Sequence, residues 1–103
     1  MTLPTAAVHI STFSRERRHY NNLGVAYADL HQFKQAVKAY QQAVALNPSY
    51  SEAHRNLALA YIALNDRTQA LGEYALLKKL DEVQAETLYR EIYKRQIIDM
   101  SYK

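Results

Sequence analysis

The side chains best suited to proton transfer or metal ligation at neutral pH are four histidines, His9, His19, His31 and His54. Their spacing suits neither task, since no two share a helical face as metal ligands would, and no HExxH or carboxylate–histidine pattern occurs. Asp29 and His31 sit near one turn and could form a dyad. No nucleophile is placed beside them, so solvation of a surface is the simpler account. A glycine-rich phosphate loop, a nucleophile elbow and a pair of carboxylates on one apolar face are all missing from the sequence. Cysteine is absent too, which removes disulfides, thiolate metal sites and a thiol nucleophile together. The expectation is a protein that is not an enzyme and carries no metal and no cofactor.

Tyr27, Tyr40, Tyr61 and Tyr74 could stack bases. A net charge of +3, from 13 Lys and Arg against 10 Asp and Glu, is too small and too evenly spread to attract nucleic acid, and helical spacing places these rings on buried stripes. Arg15, Arg17 and Arg18, interrupted by Glu16, read as a solvated helix start or as a contact for an acidic partner. No apolar run approaches the roughly 20 residues a membrane span needs, and the first residues lack the layout of a secretory signal. With no nucleic acid and no membrane span to serve, the expected setting is cytoplasmic.

The elements that must position these residues repeat. A shift of 34 residues aligns Asn22 with Asn56, Leu23 with Leu57, Ala26 with Ala60, Tyr27 with Tyr61 and Leu30 with Leu64, and continues through Ala36 with Ala70, Tyr40 with Tyr74 and Leu46 with Leu80. A fixed period of this length marks an array of supersecondary units. Leu23, Ala26, Tyr27 and Leu30 fall at i, i+3, i+4 and i+7, as do Leu57, Ala60, Tyr61 and Leu64, which makes both segments amphipathic helices. Phe33, Ala36, Val37, Tyr40, Ala43 and Val44 trace a second stripe, answered by Ala70, Leu71, Tyr74 and Leu77. Each unit is thus a helix pair, broken near His31–Gln32 and near Asn65–Asp66, where Asp66 with Gln69 has the form of a helix N-cap. Asn47-Pro48-Ser49 separates the units, and Asp81-Glu82-Val83-Gln84 offers a further cap. Ala85, Leu88, Tyr89, Ile92 and Tyr93 then trace one more apolar stripe with a polar far side, suited to closing the open flank of the array.

Tyr20, Leu23, Gly24, Tyr27, Ala36, Tyr40, Ala43 and Pro48 resemble the tetratricopeptide repeat, which places a large residue, Leu, a small residue, Tyr, Ala, an aromatic, Ala and Pro at these offsets. The second unit reads His54, Leu57, Ala58, Tyr61, Ala70, Tyr74, Leu77 and Glu82, and so departs at its last two places and carries His at its first. The implied fold is all-α, an α-solenoid of two helix-turn-helix repeats plus a C-terminal capping helix. Its expected divisions are an N-terminal arm over 1–14, repeats over 15–50 and 51–81, and the cap over 82–103. In the arm, Val8, Ile10 and Phe13 alternate with polar residues in a strand-like pattern, which leaves open a flexible segment or one lying in a groove.

In that family the first helix of each repeat lines a concave surface. Carried over, the resemblance implies a groove of Asn21, Asn22, Val25 and Asp29, then Glu52, Arg55, Asn56, Leu59 and Ile62, then Glu86, Tyr89, Arg90 and Tyr93. Asn22, Asn56 and Arg90 recur at 34-residue steps and would form a line of hydrogen-bonding groups beside an apolar strip. The implied function is a protein-protein interaction module, an adaptor or scaffold binding a protein or peptide partner in that groove; a structural module that forms a homo-oligomer is the alternative. One subgroup holds acidic C-termini of chaperones with a clamp of Lys, Asn, Asn, Lys and Arg. Here Asn56 and Arg90 match that clamp, while Asn21, Val25 and Glu86 do not, and Glu86 would repel the carboxylate.

Overall fold

A computed structural model describes the backbone of residues 3–101 and the side chains of residues 15–94. Five helices follow one another: α1 (Leu3–Asp29), α2 (Phe33–Leu46), α3 (Ser51–Ala63), α4 (Arg67–Leu80) and α5 (Glu82–Ser101). No strand occurs among the described residues. The helices α1 and α2 form one antiparallel hairpin, α3 and α4 the next, and α5 packs on α3 and α4.

Both hairpin turns are built alike, one period apart. The Gln32 N–H donates to the Tyr27 carbonyl and the Asp66 N–H to the Tyr61 carbonyl, each at 2.8 Å, while His31 (φ 60) and Asn65 (φ 61) take the left-handed conformation. This is the six-to-one closure that satisfies the last carbonyls of a helix. Asp66 caps α4 by accepting from the Gln69 N–H at 3.2 Å, and Asp81 accepts from the Gln84 N–H at 3.2 Å at the start of α5. Between the hairpins Asn47 accepts from the Ser49 N–H in an Asx turn, and α3 starts after Tyr50 with no side-chain cap.

Residues 3–14 depart from the strand-like pattern of the sequence. The backbone adopts no strand at residues 8–13, because α1 already begins at Leu3. Pro4 stands in the first turn, where its missing N–H costs nothing, and no Gly or Pro follows before Gly24. Extending a helix already nucleated at residues 15–29 gains one hydrogen bond per residue fixed, which outweighs a short β-favouring alternation. The side chains of Val8, Ile10 and Phe13, and of the cap beyond Lys94, lie outside the described residues.

Two clusters hold the array together. Ala36, Val37, Tyr40, Leu57, Ala60, Tyr61 and Ala70 form the first, between the hairpins. Ala58, Leu77, Ala85 and Leu88 form the second, under α5. Ala36, Ala58 and Ala70 are fully buried, and Gly24 lets the Tyr40 ring lie against the α1 backbone. His54 stands where the family pattern has a large residue and is 5% exposed. Its Nε2 donates to the Pro48 carbonyl at 2.7 Å, and its Nδ1 lies 2.6 Å from Glu73 Oε1. A carbonyl can only accept, so the ring carries a proton at Nε2, which leaves Nδ1 to pair with the Glu73 carboxyl group.

A candidate peptide-binding groove

The first helices of the two hairpins, α1 and α3, frame a cavity of about 220 Å³ lined by Val25, Asp29, Asn56 and Leu59, with Tyr40 and Phe33 behind them. Four of the residues expected in the groove therefore meet at one place. Val25 is 39% exposed, Leu59 half-buried, and the Asp29 carboxylate open to solvent. Tyr40 was not among the expected groove residues. Its apolar ring belongs to the core and its edge borders the cavity, and the heptad-like spacing that marks it as core gives no sign of the second role. Burial, followed by the carboxylates of Asp29 and Glu52, pushes the Tyr40 hydroxyl up to about 12.

Asn21 corrects the sequence reading. It is 2% exposed and accepts a hydrogen bond from Asn56 Nδ2 at 3.1 Å, so it joins α1 to α3 and does not face a ligand. The position is buried because α3 crosses α1 there, with Tyr50 beside it and the Arg17 guanidinium 5.6 Å from the Tyr50 ring centroid. Asn56 is half-buried and uses one donor on Asn21, while Asn22 stays exposed. Arg90 is exposed and donates to Glu86 at 2.9 Å along α5. The line of three hydrogen-bonding groups is thus partly engaged within the chain. Ile62 is half-buried and packs against both core clusters, and Arg55 is half-buried as well.

Towards α5 the surface turns aromatic. Tyr89 and Tyr93 are about half exposed and stack with centroids 6.0 Å apart, and Tyr89 meets Tyr74 of α4 at 5.7 Å. Tyr89 also lines a cavity of about 300 Å³ with Tyr74, Lys78, Glu82 and Glu86. Among the described residues no three His, Asp or Glu side chains are grouped to hold a metal ion, and no helix is long and apolar enough to cross a membrane.

Residues 18–50, the first hairpin from within α1 to the turn after Pro48, match the tetratricopeptide repeat family. The chain is also similar to Heat shock protein STI1 of Saccharomyces cerevisiae, 31% identical over 62 residues. That alignment takes in 60% of this chain and 10% of STI1, so the chain spans about a tenth of the length of that relative. No solved structure matches. Residues 18–50 thus carry a tetratricopeptide repeat, and 34 residues on α3 and α4 repeat its antiparallel helix pair.

Proposed function

We propose that the chain is a non-catalytic protein-interaction module that takes a peptide segment or a helix in the concave groove between α1, α3 and α5. The carrying observation is the cavity where Val25 and Leu59 leave apolar surface beside Asn56 and Asp29. Exposed apolar side chains next to amide groups suit an extended peptide, since the amides bond its backbone and the apolar floor accepts its side chains. An acidic chain terminus is a poor ligand. Each residue that matches the carboxylate clamp is engaged by one that does not: Asn56 by Asn21, and Arg90 by Glu86. A homo-oligomeric structural module remains the second reading, favoured by exposed Leu71, Leu76 and Leu80 along α4.

Selection from a displayed peptide library tests the groove. Peptides should be recovered that bind the wild-type chain and lose affinity for a Val25→Glu, Leu59→Glu variant of unchanged helicity. An Asn22→Ala, Asn56→Ala, Arg90→Ala variant should weaken the same peptides. Binders indifferent to all five substitutions would refute the groove, and a mass that rises with concentration would favour self-assembly.

A further inference from the structure

The array has a second concave edge, on the side of the first hairpin away from α3. There Tyr20, Leu23 and Tyr27 of α1 face Gln35, Lys38 and Gln42 of α2 across a cavity of about 360 Å³. All three α1 side chains are half-buried: Tyr27 also packs against the central cluster, and part of each ring or side chain stays open to the cavity.

The chain itself shows what such an edge holds. One period on, Tyr20, Leu23 and Tyr27 become His54, Leu57 and Tyr61, and that face of α3 is occupied by α2. Val37 of α2 joins Leu57 and Tyr61 in one cluster, Val44 packs on the same cluster, and Gln41 Nε2 donates to the Tyr61 hydroxyl at 3.0 Å. The seated stripe is therefore apolar, amide, apolar at i, i+4 and i+7, which is one face of a helix. At this edge Tyr27 holds the repeat position of Tyr61 and Leu23 that of Leu57, and both line the cavity.

We infer that this edge is a docking site, separate from the concave groove, for a single amphipathic helix supplied by another protein. The docked helix would carry the stripe of Val37, Gln41 and Val44 and an acidic flank. Lys38 is the charged residue among those lining the cavity, and the other polar groups there are neutral amides, so a negative flank gains and a positive one loses. A second copy of this chain is a poor occupant. Its α2, which carries the stripe, is already seated on its own α3, and two like edges would set Lys38 against Lys38.

The test uses the full chain and two synthetic peptides. One has the sequence of residues 32–47, and the other is the same with K34E and K38E. In nitrogen-15 correlation spectra both should shift the resonances of Tyr20, Leu23 and Tyr27, the acidic peptide binding at least about threefold more tightly at low salt. Leu23→Glu should weaken both by about tenfold or more. The milder Tyr27→Phe, which removes the hydroxyl alone, should weaken them about threefold. Val25→Glu in the concave groove should leave both unchanged. No shift up to about 1 mM peptide would overturn the inference. Shifts centred on Leu57 and Tyr61 would also overturn it, since the peptide would then be displacing α2.

Discussion

Gly24→Ala and Gly72→Ala make the same chemical change in two helices, and only the second should stabilise the chain. A methyl group on Gly24 would sit 2.4 Å from Tyr40 Cε1, 2.5 Å from Cδ1 and 2.9 Å from Cζ. The ring is 3% exposed and packed in the central cluster, so it cannot swing clear as a flexible tip would. Gly72 has nothing within 4 Å of that position. Replacing glycine by alanine inside a helix gains about 1 kcal/mol at either site, and overpacking a filled core costs about 1–3 kcal/mol at the first alone. Gly72→Ala should therefore stabilise the chain by about 1 kcal/mol, and Gly24→Ala should leave it unchanged or lower it by up to about 2 kcal/mol. The helix gain is common to both, so the difference between the variants isolates the contact. Urea unfolding followed by circular dichroism reads that difference directly. A Tyr40→Leu background should shrink the penalty at Gly24, since the atoms that clash are then gone. Equal stabilisation by both alanines would refute the close approach of Tyr40 to α1.

Two further outcomes follow from buried polar groups. His54→Ala should cost on the order of 3 kcal/mol in urea unfolding, since it opens a cavity and leaves the Pro48 carbonyl and Glu73 without partners. Glu73→Gln should cost only about 1 kcal/mol, because the new amide N–H can donate to Nδ1 of a ring protonated at Nε2. The hydroxyl of Tyr40, raised from 10.0 to about 12, holds its proton in the folded chain after the unfolded chain has lost it. Its stabilising share is thus complete below about pH 10 and declines as pH rises through about 12, so wild type should lose stability faster than Tyr40→Phe across that window.

Much of the array was legible because its signals are local and periodic. The 34-residue match, the breaks at His31 and Asn65, and the Asp66 cap each depend on neighbours in sequence, and each appears in the structure. What escaped depends on contacts across hairpins. Asn21 occupies a groove position by its offset, yet α3 crosses over it, and nothing within α1 announces that crossing. His54 reads as a flaw in the repeat pattern until Pro48 and Glu73 are seen on its two nitrogens. The alternation of Val8, Ile10 and Phe13 was a local signal too short to compete with extension of the helix behind it.

The imidazole of His54 reaches back to the turn that ends the first hairpin and forward to the last helix of the second. Repeat arrays melt unit by unit when the coupling between neighbours is weak, and as one body when it is strong. A ring fastened at both ends works as a rivet through the seam, and so neither pair of helices gains much freedom by letting go alone. A ligand lying across both pairs would then meet a platform already assembled, and little of its binding energy would go into ordering the receptor.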